Sequence, residues 1–112
     1  MPIEVKYWET RTGNNPVLEF IQDQKSLEAQ DRIEKYIDRL RIMGLTLLRT
    51  AYVKKLTGYD LYELRIKVKR VLYRIIFVIK KSIAWLLVAF KKQGNKTPKQ
   101  YLDLASSRAS QV

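Results

Sequence analysis

The sequence predicts an α+β domain: a mostly antiparallel twisted sheet of four to five strands, a helical pair packed on it, and a short C-terminal helix. Two observations on pattern predict it. The apolar residues recur at spacings of three and four between Pro16 and Gly44, and alternate beyond Gly44. The alternating segments are joined by connections so short that antiparallel hairpins are the simplest wiring. The third observation is size. With 112 residues and 46% hydrophobic content, the chain can fill one core but not two comfortable ones, so 1–112 reads as a single domain.

Each element has its own signal. In "IEVKYW", Ile3, Val5 and Tyr7 alternate with Glu4, Lys6 and Trp8, the mark of a half-buried strand. "GNNP" is a turn that places Asn15 as N-cap and Pro16 at the first position of a short helix through Leu18 and Ile21. Ser26 caps a longer helix, whose stripe is Ile33, Tyr36, Ile37, Leu40 and Met43 and which stops at Gly44. "AYVKKL" is a short strand and "TGYD" a turn. "LYELRI" and "RVLYRIIFVI" alternate as two strands, with Tyr62, Leu64, Ile66, Val71, Tyr73, Ile75 and Phe77 on the core face and Arg65, Arg70 and Arg74 on the other. "SIAWLLVAF" is apolar on both faces and reads as the central or most covered strand, with Trp85 and Phe90 as core residues. Thr97 and Pro98 open the last helix, with Leu102 and Ala105 inward, and residues 106–112 should fray.

Composition narrows the chemistry. There is no cysteine, which excludes disulfides and thiolate metal sites, and no histidine, which removes the usual general base and the commonest metal ligand. No metal and no cofactor is expected. No apolar run reaches the ~18 residues of a membrane span, and "MPIEVKYWETR" lacks a signal-peptide stretch, so a cytoplasmic protein with no membrane association is expected. The net charge of +11 is one-sided: residues 1–48 hold seven Lys/Arg against eight Asp/Glu, and residues 49–112 hold fifteen against three. A polyanion, nucleic acid above all, or an acidic protein segment is the natural partner of such a surface.

Gly-rich phosphate loops and Ser-His-Asp sets are absent. Asp60 and Glu63, three apart at a turn, read as solvated carboxylates. What remains is a set of basic groups on strands. Arg74 has two readings that residue patterns leave open: a guanidinium paired with Glu63 across the hairpin, or a phosphate clamp held rigidly by the sheet.

"KKLTGYDLYELR", "LYRIIFVI" and "WLLVAFKKQGNKTPKQ" together resemble the RelE/ParE superfamily of toxins from bacterial toxin–antitoxin pairs, most closely its HigB-like, phage-associated branch. The resemblance covers residues 52–105, and its most specific part is the basic "KKQGNKTP" ending, one residue longer than the family pattern. It implies a RelE-like fold. It also implies an mRNA interferase, an endoribonuclease acting on mRNA in the ribosomal A site and neutralised by a cognate antitoxin, a helix-turn-helix HigA-like protein. Carried over residue by residue, Arg74 matches the family arginine at the scissile phosphate, and Lys91 and Lys92 match the basic pair ending the last strand. Lys55 matches a basic position ahead of the hairpin, and Lys54, Arg65, Arg70, Lys96 and Lys99 join it as RNA-binding candidates. Glu63 and Tyr101 are auxiliary candidates. The chain departs from the pattern in having Glu63 where RelE has a catalytic lysine, Thr57 where it has an arginine, and Val88 or Ala89 where HigB-like chains carry histidine.

The implied chemistry is metal-independent attack of a 2′-OH on the adjacent phosphate. Without histidine, the proton must move through Lys, Tyr, a carboxylate or the ribosome, and a lysine crowded by cations (Lys91, Lys92 and Lys96) is suited to it. Two alternatives use the same charge: a ParE-like non-nuclease acting on DNA gyrase, and a non-catalytic RNA- or ribosome-binding module.

Overall fold

The helix and strand signals fall where the pattern places them. In the computed structural model of the chain, which describes residues 1–92, 94 and 96–112, β1 (Glu4–Tyr7) leads into α1 (Pro16–Gln22) and α2 (Leu27–Met43). A 3-10 segment (Gly44–Arg49) then precedes β2 (Val53–Leu56), β3 (Leu61–Val68), β4 (Val71–Lys80), β5 (Ile83–Lys91) and α3 (Lys99–Ala109). No helix is long and apolar enough to cross a membrane.

The caps are chemical. Asn15 accepts from the Leu18 N–H at 3.3 Å, and Glu19 reaches back to accept from the Asn15 N–H at 3.0 Å. Ser26 accepts from the Ala29 N–H at 3.1 Å. Gly44 ends α2 at φ 60°, ψ −136°, a conformation that side chains resist, and donates to the Leu40 carbonyl. Here the chain passes so close to the Met1 carbonyl that a Cβ on Gly44 would collide with it.

The strand order is β1-β5-β4-β3-β2. β2 to β5 form consecutive antiparallel hairpins, and β1 joins β5 in parallel. In the β4–β5 hairpin both turn residues, Lys81 (φ 52°) and Ser82 (φ 65°), are left-handed, the type I′ geometry that matches strand twist. β4 is thus the central strand. β5 is interior and covered, but one place off centre, because β1 returns to its outer side.

Period-two alternation splits the core in two. On one face, α1 and α2 bury Ile21, Ile33, Ile37 and Leu40 against Leu64, Ile66, Ile75, Phe77 and Leu86. On the other, α3 brings Ala105 and Ala109 onto Ile76, Val78, Leu87 and Phe90. Since α3 packs on β5 and β4, it covers only that side of its face. Val71 departs from the expected core set: it sits at the hairpin end and is 38% exposed.

The C-terminal residues are docked on the sheet by side-chain hydrogen bonds. A bulge at Ile76/Phe77 pairs Val88 and Leu86 with consecutive β4 residues and leaves Leu87 out of register. Arg108 donates to the Leu87 carbonyl at 2.7 Å, and Lys80 donates to the carbonyls of Ala109 at 2.5 Å and Val112 at 3.2 Å. Residues 106–109 are therefore the docked last turn of α3, against the expectation of a loose tail.

Gly44→Ala should lower stability by about 1–3 kcal/mol through backbone strain and the Met1 collision, read as a lower urea midpoint with an unchanged slope.

Candidate functional site

β3 sends Tyr62, Leu64 and Ile66 to the helical pair and Leu61, Glu63 and Arg65 to the opposite face. The β3–β4 register sets Arg65 directly opposite Arg74 and Glu63 opposite Ile76. Glu63 and Arg74 are therefore diagonal neighbours, and Arg74 Nε lies 3.2 Å from Glu63 Oε1. Both are buried: Glu63 is 0% exposed and Arg74 3%. The contact is one of charge rather than an aligned hydrogen bond, and among the described residues neither atom has a hydrogen-bond partner. The other Glu63 oxygen accepts from the Thr97 hydroxyl at 2.6 Å, and Arg74 also donates to the Tyr73 carbonyl at 3.1 Å. Glu63 is thus not the solvated turn carboxylate its sequence position suggests; Asp60 is, exposed in the turn.

Three further cations surround the pair. Lys54 on β2 is the cross-strand partner of Glu63, and Arg65 that of Arg74. Lys92 follows β5, its backbone N–H donating to the Leu72 carbonyl at 2.7 Å. Burial pushes the Lys92 ammonium below the ordinary lysine value. Glu63 works against this, while Arg74, Lys54 and Arg65 add to the lowering. Arg74 is lowered for the same first reason, burial, with Glu63 opposing and Arg65 adding. Beside the cluster lies an open cleft of about 250 Å³, lined by Lys54, Lys55, Lys96, Thr57, Tyr59 and Thr97. One carboxylate against four basic groups leaves a local excess of positive charge, an arrangement that draws an anion.

The structure brings together Arg74, Lys92, Lys54, Arg65 and Glu63, and lines the adjoining cleft with Lys55 and Lys96. It separates the rest. Lys91 and Lys92 do not act as a pair: Lys91 turns to the helix-side face, its Nζ 6.0 Å from the Tyr73 ring centroid. Arg70 sits exposed in the β3–β4 turn, not on the sheet face. Lys99 is on the first turn of α3, 3.9 Å from Asp103. Tyr101 stacks on Phe90 with centroids 4.3 Å apart, so it belongs to the core. Sequence reasoning missed Thr97 as the partner of Glu63. It also missed Thr57 and Tyr59 as cleft walls, although the turn signal at "TGYD" marked where they stand. Gln93 and Asn95 of the "KKQGNKTP" motif lie outside the described residues.

A family model described as phage-derived protein Gp49-like (DUF891) matches residues 19–110. The chain belongs to the Gp49-like family. No curated protein and no solved structure matches it. The Gp49-like match takes in every residue of the cluster and leaves β1 outside it.

Removing one member of the buried pair strands the other. Arg74→Ala or Glu63→Ala alone should each cost about 3 kcal/mol or more in chemical denaturation. The double change to Glu63→Leu with Arg74→Met should cost clearly less than the sum. Thr97→Val should cost about 1–3 kcal/mol, because Glu63 loses its only neutral donor among the described residues.

Proposed function

We propose that this Gp49-like chain is the toxin of a type II toxin–antitoxin pair, of RelE-like fold, and that it is an endoribonuclease cleaving mRNA on the ribosome. The observation that carries the reading is the position of Lys92, half-buried beside Arg74, Lys54 and Arg65 with its ammonium disfavoured. The family, which is related to RelE-like toxins, supports the same direction.

The chemistry assigns one task to each group. The neutral Lys92 amine takes the proton of a ribose 2′-OH, and the 2′-oxygen bonds to the adjacent phosphorus. Arg65 and Lys54 face the negative charge that gathers on the phosphorane oxygens. The P–O5′ bond breaks with its electron pair on the 5′-oxygen, which takes a proton from the Lys54 ammonium. The products are a 2′,3′-cyclic phosphate and a 5′-hydroxyl, and no metal takes part. Arg74, buried against Glu63, cannot reach far out to a substrate, so in this reading it orients Lys92 and the local field rather than clamping phosphate. In the resting pair, a cognate antitoxin with an acidic segment, of helix-turn-helix HigA-like type, covers the basic face. The burial of Arg74 against Glu63 also favours a second reading, a non-catalytic RNA- or ribosome-binding module.

Induced expression with primer-extension mapping of cellular mRNA tests the choice. Cuts on translated messages that vanish in Lys92→Ala support the nuclease; growth arrest with intact mRNA overturns it. A base must be deprotonated to act, and the lowered Lys92 value means that its neutral form gathers at lower pH than for a free lysine. The single-turnover rate should therefore rise with pH and level off below the ordinary lysine range. Lys92→Arg, locked in its charged form, should flatten that rise and lower the rate by about 100-fold or more.

A further inference from the structure

A second concave site lies at the opposite end of α3. Trp8 continues the β1 ladder, its N–H donating to the Leu86 carbonyl at 2.9 Å. Its indole packs under Arg108, whose guanidinium carbon is 4.3 Å from the ring centroid. Arg108 is held in turn by the Leu87 carbonyl that the β-bulge frees. One indole face is thus backed by a fixed cation. Trp85, expected in the core, is only half-buried and carries Lys6 Nζ 5.4 Å from its ring centroid. Trp8 and Trp85, with Tyr7, Asn15 and Gln111, line an open cleft of about 460 Å³.

We propose that this cleft takes an unpaired nucleobase of a single-stranded RNA, as a second contact for the strand that the Lys92 cluster engages. The inference rests on the RNA-directed reading of that cluster. The two sites share one face of the sheet: Trp85 and Lys92 stand at opposite ends of β5, seven residues or roughly 23 Å apart, with α3 between them. The chemistry of the cleft suits a base rather than a phosphate. Its one ammonium, Lys6, lies 3.7 Å from the Glu4 carboxylate, and Glu9 adds a second carboxylate to the wall, so the wall offers little net charge to a phosphodiester. It offers instead the aromatic surface on which any base can stack. The two amides can meet a base edge: Asn15 uses its oxygen as the α1 cap and keeps its NH₂ as a donor, and Gln111 has both. Trp8 lies outside the Gp49-like match, so the cleft is built partly from a segment beyond the family's span.

Trp8 and Trp85 are the protein's two tryptophans, so its indole emission reports on this cleft alone. The probe is a 2′-O-methyl oligoadenylate of about ten nucleotides, within the span of known strand-binding sites and blocked against 2′-OH attack. Titration should quench the indole emission saturably, at the same concentration at which the anisotropy of a labelled oligonucleotide rises. Trp8→Ala should weaken binding by about 5- to 100-fold, and Trp8→Phe should recover most of the loss. Should Trp8→Ala lose its circular-dichroism signature, Gln111→Ala and Trp8→Phe carry the test, with a smaller loss expected for each than for removal of the ring. Anisotropy that rises with unchanged emission overturns the proposal, and so does an oligonucleotide that fails to bind. Quenching together with growth arrest on intact cellular mRNA leaves the cleft standing and defeats the nuclease reading; cuts on translated messages without quenching of the isolated protein do the reverse.

Discussion

The buried Glu63–Arg74 contact constrains everything on its side of the sheet. Two charges out of water are costly unless each finds the other and further hydrogen-bond partners, and here the partners come from separate parts of the chain. β3 supplies the carboxylate, β4 the guanidinium, and the segment entering α3 the Thr97 hydroxyl. The pair therefore ties the start of α3 to the β2–β3 side of the sheet, while the Arg108–Leu87 bond ties its end to β5. α3 is held at both ends by polar bonds and between them by Phe90, Tyr101 and Ala105. It must lie across half of the face and leave the other half open, and that open half is where the lysines collect.

Burial first, and then the cations gathered round the same pair, hold the Lys92 ammonium below its ordinary value, with Glu63 opposing. A lysine on an exposed loop is hydrated from all sides. Lys92 is half-buried beside two arginines and another lysine, and the lone carboxylate nearby is already engaged with Arg74 and Thr97. The sheet thus concentrates positive charge around a lysine whose charged form burial already disfavours, in a chain without histidine.

Much of this architecture is legible in the residues themselves. Asn15, Ser26 and Gly44 act locally, through their own side chains or lack of one, and each stands where its chemistry places it. Alternation sorted Leu64 from Arg65 because the strand period is fixed. The misses share a different cause. Glu63 looks like a turn carboxylate until α3 and Thr97 close over it, and that closure joins residues 34 positions apart. The bulge at Ile76/Phe77 carries no glycine or turn residue to announce it, so the seat for Arg108, and with it the order of the C-terminal turn, is invisible to pattern. Lys91 and Lys92 are the exception. Strand alternation alone separates adjacent residues to opposite faces, and the family motif, by presenting them as a pair, hid what the period states. In the candidate site, charge located the half of the chain that matters and the motif located Arg74, but only the register across three strands brings Lys54, Arg65 and Lys92 to one carboxylate.

The parallel pairing of β1 with β5 has a temporal side. Glu4 meets Ile83 across ~80 residues of intervening chain, a loop whose closure is entropically slow compared with the hairpins inside it. During synthesis, β1 leaves the ribosome first and has no partner until the β4–β5 hairpin has emerged. By then Glu63 and Arg74 are out, but Lys92 and Thr97 arrive later still. The nascent chain therefore exposes its basic strand residues before Lys92 and Thr97 can complete the cluster, and β1 is the last strand to find its place.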